Sequence, residues 1–133
     1  MARFTETITA QTLPALITAV NTFLATLTDP TIRYFEFLAQ RPQKRTGTNF
    51  LFSVSYEDGG AALATDFTFN VLQQPNAADL DTEIAAEYAS TPAAFFTGIR
   101  LARLDQDDTR LETFFAAYLT NATGGASANY LPQ

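Results

Sequence analysis

Acidic residues are the side chains in this sequence whose spacing comes nearest to a chemical site. They form three sets: Asp79, Asp81 and Glu83; Asp105, Asp107 and Asp108; and the separated pair Glu36 and Asp66. Alternating or clustered carboxylates can ligate Ca²⁺ or Mg²⁺. Two facing carboxylates can divide the acid and base roles of glycoside hydrolysis between them.

The first two sets have simpler interpretations than metal binding. The residues after Asp79 lack the glycine and the downstream glutamate of an EF-hand loop, and carboxylates two residues apart on a helix point in different directions. We therefore expect Asn76 to cap a helix, with Asp79 near its positive end. Because turns favour Asp for local backbone bonding, we interpret the segment 105–108 as a turn. No metal site is predicted.

Glu36 and Asp66 face each other only if the strands that carry them form a meander. They would then lie two strand spacings apart, about 10 Å, near the upper end of the separation used by inverting glycosidases. The chain has no Trp to form a sugar platform. A small-ligand-binding protein or a carboxylate-based enzyme therefore stays the alternative hypothesis.

Other catalytic chemistry has few side chains available to it. The sequence has no His and no Cys, so the usual general base, thiolate nucleophile and soft metal ligands are missing. Lys44 is the only lysine and lies in a basic loop. The pairs Gly59-Gly60 and Gly124-Gly125 lack the downstream Lys of a phosphate loop. We predict no catalytic residue and no cofactor.

Composition indicates a globular chain with an unusual surface. The 133 residues are 47% hydrophobic but only 17% charged, below the usual quarter. The net charge of −6 argues against a general nucleic-acid partner, because phosphate binding needs clustered basic residues. The low charged fraction suggests that another protein covers part of the surface.

The middle of the chain predicts three consecutive antiparallel strands. Residues 50–57 and 63–71 alternate strictly between apolar and polar positions, as half-buried strands do. The first run puts Phe50, Phe52, Val54 and Tyr56 on one face; the second puts Leu63, Phe67, Phe69 and Val71 on one face. The glycines of residues 57–61 predict a tight hairpin between the runs. Residues 32–39 are the preceding strand.

The N-terminal segment predicts a strand followed by a helix. Residues 3–10 alternate Thr with other residues, which favours a short edge strand. Residues 12–28 then place apolar residues at helical spacing, with Thr12 as cap, Pro14 in the first turn and Asp29-Pro30 at the end. Glu6 and the polar interruptions argue against a secretory leader, and no run is long enough for a membrane span.

The second half of the sequence predicts three helices. The first covers residues 77–89, with Leu80, Ile84 and Tyr88 on its buried side. A second begins near Ser90 and carries Phe95, Ile99 and Ala102, although Gly98–Leu104 could instead be a strand. The spacing of Thr109 and Glu112 predicts a capping box for the last helix, which would bury Leu111, Phe115, Tyr118 and Leu119.

These elements give an α+β fold in the order β-α-β-β-β-α-α-α. We expect one four-stranded, mostly antiparallel sheet with the helices packed on its aromatic face. Residues 1–121 would form this single domain. Residues 122–133 would form an extended C-terminal tail, without a periodic apolar pattern of its own.

Three parts of the sequence are candidates for contact with other proteins. The predicted strand 32–39 has apolar residues on both faces, which suits a sheet that meets a partner. The basic loop after it is either a solvated hairpin or a finger that docks on an acidic neighbour. The tail is either a frayed end or an arm with an apolar anchor. The candidate interface residues are Tyr34, Leu38, Arg41, Lys44, Arg45, Tyr130 and Leu131.

The sequence therefore favours a non-enzymatic structural or assembly subunit, such as a component of a viral particle or another homomeric complex. Its partners would be other proteins or copies of itself, and neither nucleic acid nor membrane. The expected location is the cytoplasm, or the virion if the protein is viral.

Overall fold

The computed structural model describes residues 2–27, 30–39, 49–58, 67–90, 95–105 and 112–121. Within them the fold is α+β, with two helices and two three-stranded antiparallel sheets. The elements are β1 (Arg3–Ala10), α1 (Leu13–Leu24), β2 (Thr31–Ala39), β3 (Phe50–Glu57), β4 (Phe67–Gln74), α2 (Ala77–Ser90), β5 (Phe95–Asp105) and β6 (Glu112–Asn121).

The two sheets divide the strands by position in the chain. Sheet A has the order β1-β3-β2, and sheet B has the order β4-β6-β5. Every neighbouring pair is antiparallel. At one side of the molecule β2 of sheet A lies near β5 of sheet B, and at the other side α1 contacts both β1 and β4. The sheets therefore face each other, with α1 closing one side.

The main core fills the space between the two inner faces. Alternation along each strand sends one set of side chains inward, and these are the buried aromatic and aliphatic residues. Phe52 of sheet A and Phe69 of sheet B have ring centroids 4.8 Å apart, and Phe37 lies 5.8 Å from Phe115. Such tilted and edge-on contacts are favourable between aromatic rings. The sheets are thus held together mainly by phenylalanine.

Helix α1 forms where its sequence predicts. Thr12 caps it by accepting a hydrogen bond from the Ala15 backbone N–H at 3.3 Å, and proline occupies the first turn. Its apolar stripe of Leu16, Val20 and Leu24 is buried in the main core. The helix ends at Leu24, earlier than Asp29-Pro30. None of the helices in the described ranges has the length and hydropathy of a membrane span.

Helix α2 forms a further layer on the outer face of sheet B. It packs on β4 and β6 through a second apolar cluster that includes Leu72, Leu80 and Ala116. Asn76 caps it as predicted, since Asn76 Oδ1 accepts from the Asp79 N–H at 2.8 Å. The Asn76 amide also donates to the Asp79 carboxylate at 3.0 Å. The layers run sheet A, sheet B, α2.

The predicted single sheet of four strands is wrong, because β4 belongs to the second sheet. A strand has two edges, and those of β3 are taken by β1 and β2. No edge of β3 is left for β4, which pairs with β6 instead. The aromatic face of β3 is covered by β4 and β6 as well as by α1. The predicted hairpin glycines and Leu63 lie outside the described residues.

The two predicted C-terminal helices are also wrong, because these segments are β5 and β6. For β5 the alternative reading of Gly98–Leu104 as a strand is confirmed. Strand β6 lies between the main core and α2, so Phe115 and Leu119 are buried on one face and Ala116 and Tyr118 on the other. A strand covered on both sides has a continuous apolar run, which does not reveal its period.

Strand β2 needs one further correction. Alternation predicts that Arg33 shares a face with Phe35 and Phe37. The pairing with β3 shifts between Ile32 and Tyr34, so Arg33 is an extra residue in the ladder. Its guanidinium reaches Glu57, on the face opposite Phe35. This irregularity allows both Ile32 and Phe35 to be buried in the main core.

Candidate functional site

The surface of sheet A that points away from the core is the candidate functional site, and we call it the outer face. Its side chains lie in three rows across the strands, set by the pairing of β1 and β2 with the central strand β3. The rows are Thr5, Ser55 and Tyr34; Thr7, Ser53 and Glu36; and Thr9, Leu51 and Leu38. Neighbours in a row point the same way.

Most of the outer face carries hydroxyl groups. Thr7 Oγ1 and Ser53 Oγ are 3.0 Å apart and hydrogen-bonded, which links β1 to β3 on this side. The row continues to Glu36 on β2. These groups can donate and accept hydrogen bonds with another polar surface. The middle of the outer face is therefore polar but carries little charge.

Two larger side chains stand on the β2 side of the outer face. Tyr34 is 40% exposed and Leu38 is 57% exposed, and both belong to the exposed large hydrophobic residues of the structure. They occupy different rows on the same strand, with Glu36 between them. An exposed Tyr and Leu on a flat sheet can supply the apolar area of a protein contact.

One end of the outer face is closed by a charge cluster. The guanidinium of Arg33 donates to both carboxylate oxygens of Glu57, with two contacts of 3.1 Å from Nη2. Arg3 Nη2 lies 3.9 Å from the same carboxylate. The hydrogen bonds from Arg33 hold the pKa of Glu57 below its ordinary value, and the charges of Arg33 and Arg3 act in the same direction. Glu57 therefore stays ionised and links β1, β2 and β3.

The described residues give few means for catalysis at this face. Its carboxylates are Glu36 and the ion-paired Glu57, and the Asp66 predicted to face Glu36 lies outside the described residues. Among the described residues, no three His, Cys, Asp or Glu side chains are grouped so as to hold a metal ion. Of the other predicted acidic residues, Asp79 lies in the first turn of α2, where its N–H donates to the Asn76 cap, while Asp107 and Asp108 are outside the described ranges.

A buried polar cluster lies between α2 and sheet B. The Tyr118 hydroxyl accepts from Asn70 Nδ2 at 3.0 Å and is hydrogen-bonded to Glu87. Gln74 Nε2 donates to Glu83 Oε1 at 2.9 Å. Burial is the main reason that the pKa of Tyr118 is raised, and the two carboxylates raise it further. Sequence reasoning missed this cluster because it placed Tyr118 on a helix.

An apolar groove of about 330 Å³ runs beside the start of α2. Its walls include Leu80 of α2, Phe114 of β6 and Leu101 of β5, and Asp81 lies at its polar side. Leu101 is 69% exposed, because α2 packs on β4 and β6 and leaves β5 open. No sequence pattern indicated this groove, since β6 was predicted as a helix and β5 as a helix with a strand as the alternative for Gly98–Leu104.

The structure describes two of the seven predicted interface residues. Tyr34 and Leu38 lie together on the outer face. Arg41, Lys44 and Arg45 of the basic loop lie outside the described residues, as do Tyr130 and Leu131 of the tail. Their part in an interface stays a prediction.

Comparison with known proteins gives no match to this chain among protein-family models, curated proteins or solved structures.

Proposed function

We propose that this protein is a non-enzymatic subunit of a larger protein assembly and that it contacts its neighbours through the outer face. The assembly would be a homomeric complex or a particle such as a virion, in the cytoplasm or in the virion itself. The observation that carries this proposal is the position of Tyr34 and Leu38. Both are large, exposed and on the same strand, two rows apart, on a sheet face that no other described element covers.

The make-up of the outer face supports this proposal. Its hydroxyl groups allow hydrogen bonds without the desolvation cost of buried charges, and its Tyr and Leu supply apolar area. A charged fraction of 17% fits a chain that covers part of its surface in an assembly. With a net charge of −6, two copies repel each other at long range, so a contact needs a surface of low charge. The middle of the outer face is such a surface.

Light scattering after size-exclusion chromatography tests the proposal with a matched pair of variants. The native chain at high micromolar concentration is expected to be larger than a monomer or to retain a protein partner. Leu38→Asp places an unpaired charge in the proposed contact and should shift the species toward monomer. Leu101→Asp changes an equally large and more exposed residue on sheet B and should leave the assembly intact.

Both variants should keep the native circular dichroism spectrum, because both positions are exposed. A strictly monomeric native chain without a co-purifying partner would contradict the proposal. If Leu101→Asp disrupts the assembly while Leu38→Asp does not, the contact surface lies on sheet B instead.

The groove beside α2 supports a second candidate function, the binding of a small apolar molecule. A volume of about 330 Å³ is at the lower end for ligand pockets, and the walls are mainly apolar. Asp81 would favour a ligand with a cationic or hydrogen-bond-donating group. Titration with the neutral apolar dye Nile red tests for such a site. Dye fluorescence should rise with the native chain and rise less with Leu101→Asp, and an unchanged signal for both proteins would remove this candidate.

A further inference from the structure

Strand β1 leaves one of its backbone edges without a strand partner in the described part of the chain. It stands at the end of the order β1-β3-β2 and pairs with β3 along its whole length, from Arg3 opposite Glu57 to Ala10 opposite Phe50. A strand in this position presents a row of N–H and C=O groups on its other side, ready to pair with another extended chain.

The corresponding edge of sheet B is partly covered by α1. Strand β4 is the end strand there, and the side chain of Asn21 on α1 lies against it. Asn21 Oδ1 accepts from the Phe69 N–H at 2.7 Å, and Asn21 Nδ2 donates to the Phe69 carbonyl at 3.0 Å. One amide side chain thus satisfies both backbone groups of Phe69, as a neighbouring strand would. At the other side of the molecule β2 and β5 lie near each other.

Strand β1 also lacks most features that prevent edge pairing. It is 8 residues long, contains neither Pro nor Lys, and its pairing with β3 has no bulge. Its outward residues Thr5, Thr7 and Thr9 are exposed and have a high strand propensity. The exception is Glu6, a half-buried charge on the inner side of the strand. That charge restricts which pairings are acceptable.

We propose that β1 pairs antiparallel with the β1 strand of a second copy, about a two-fold axis that passes beside Thr7. This inference rests on the proposed function: it names a second copy as the partner and adds a backbone contact at the edge of sheet A to the contact through the outer face. Strand β1 has one Arg and one Glu, so its charges sum to zero in a chain of net charge −6. A second copy can therefore approach β1 with less repulsion than the whole chain would impose.

The register follows from symmetry and from Glu6. A two-fold axis perpendicular to the sheet keeps the outer faces of both copies on one side, so opposed residues must point the same way. An axis at Glu6 would place two glutamates opposite each other, which is unfavourable. An axis at Thr7 places Thr7 opposite the partner's Thr7, Thr5 opposite the partner's Thr9, and Glu6 opposite the partner's Ile8.

This pairing would join the two A sheets into one sheet of six strands. The hydroxyl row of Ser53 and Thr7 would continue across the axis into the same row of the second copy. Main-chain hydrogen bonds would provide much of the affinity, as in other cases of strand addition. The two outer faces would form one continuous surface, with Tyr34 and Leu38 of each copy toward its ends.

Disulfide trapping tests the register directly, because the native chain has no Cys. Directly opposed residues of antiparallel strands have Cα atoms about 4.5–5.5 Å apart, within the range of a disulfide. Thr7→Cys should therefore form a covalent dimer under mild oxidation, seen on a non-reducing gel. Thr5→Cys is the matched control on the same strand and face. Its two copies would lie about 13 Å apart and should stay unlinked.

The outcomes separate this inference from the proposed function. Linkage of Thr7→Cys without linkage of Thr5→Cys supports the pairing, and the double variant T5C/T9C should then link as well. Linkage of Thr5→Cys alone, or of neither variant while light scattering still shows an oligomer, overturns the β1 pairing and leaves the proposed function standing. A native chain that is monomeric, without a partner and without linkage, overturns both.

Discussion

The two sheets have the same strand arrangement but differ in how their outward surfaces are covered. In sheet B the outward residues of the central strand, Ala116 and Tyr118, are buried beneath α2. In sheet A the corresponding residues of the central strand, Ser53 and Ser55, are only half-buried. The central strand is the most protected strand of a sheet. The difference in burial between these residues therefore shows that α2 covers the outward face of sheet B and that no described element covers that of sheet A.

The two sheets also differ in the types of residue that point outward. Sheet B turns Leu72 and Ala116 outward against α2, together with the polar cluster around Tyr118. Sheet A turns mainly Thr and Ser outward, with Tyr34 and Leu38 as larger residues. A sheet face that keeps exposed apolar residues among hydroxyl groups is suited to reversible contact. Among the described residues, sheet B is covered by α2 of its own chain, while no described element covers the outward face of sheet A.

The largest expected effect comes from the core that both sheets share. Phe52 is fully buried, with its ring centroid 4.8 Å from Phe69 and 6.0 Å from Phe35. Phe52→Ala should lower the free energy of unfolding by about 3–5 kcal/mol, measured by urea denaturation. Phe4→Ala, at a residue 47% exposed, should cost less than about 1 kcal/mol. A loss below about 1 kcal/mol for Phe52→Ala would show that the faces of β3 are wrongly assigned.

The next effect compares the two outward surfaces themselves. Leu80 of α2 is 5% exposed against sheet B, so Leu80→Ala should cost about 2–3 kcal/mol in the free energy of unfolding. Leu38→Ala on sheet A should change it by no more than about 0.5 kcal/mol when measured at a concentration low enough to disfavour assembly. Equal losses at Leu80 and Leu38 would contradict the idea that only sheet B is covered by its own chain.

A smaller effect concerns the partly covered edge of sheet B. Asn21→Ala removes both hydrogen bonds to the Phe69 backbone, in a part-buried setting. We expect a loss of about 1–3 kcal/mol in the free energy of unfolding, because a donor and an acceptor are left unsatisfied. Thr22→Ala is the control, since the Thr22 hydroxyl is exposed and bonds only the Thr18 carbonyl of its own helix. If the two variants are equally stable, Asn21 does not protect the edge of β4.

The smallest effect is a pH dependence of the contact between α2 and sheet B. The pKa of Tyr118 is raised in the folded state, mainly by burial. Its contribution to stability is therefore complete below the unfolded pKa of about 10 and decreases as the pH rises above that value. Thermal unfolding from pH 8 to 11 should show a smaller alkaline loss for Tyr118→Phe than for the native chain.

Tyr56 is the comparison for this measurement, because its pKa is also raised, again mainly by burial, but it lies in sheet A. Tyr56→Phe should reduce the alkaline loss as well while leaving the contribution of Tyr118. An alkaline loss that neither substitution reduces would contradict the assignment to these two hydroxyls.

Local patterns predicted the first two thirds of the secondary structure. The strand over residues 3–10, the cap at Thr12 and the helix near residues 77–89 all depend on neighbours in sequence, and the structure confirms them. The inward faces of β3 and β4 are confirmed as well, because one side of each strand is clearly more apolar. Tyr34 and Leu38 could be identified as apolar residues on the second face of β2, while their role in an interface stays a prediction.

The sequence did not show whether each strand is buried on one face or on both. Strand β6 resembles a helix in sequence because it is buried on both faces, so its apolar residues do not alternate. The groove beside α2 could not be predicted for the same reason.

Up to the end of α2, the sequence by itself determined which residues turn toward a core, since alternation and helical spacing are local properties of the chain. It also determined the absence of His and Cys chemistry. The tertiary structure decided which strands share a sheet. Strand β3 had two edges, β1 and β2 filled them, and β4 therefore had to pair with β6. Competition between distant segments for the same backbone edge cannot be seen in a local sequence pattern. It nevertheless decided that, among the described elements, the edge of β1 and the outer face of sheet A remain uncovered.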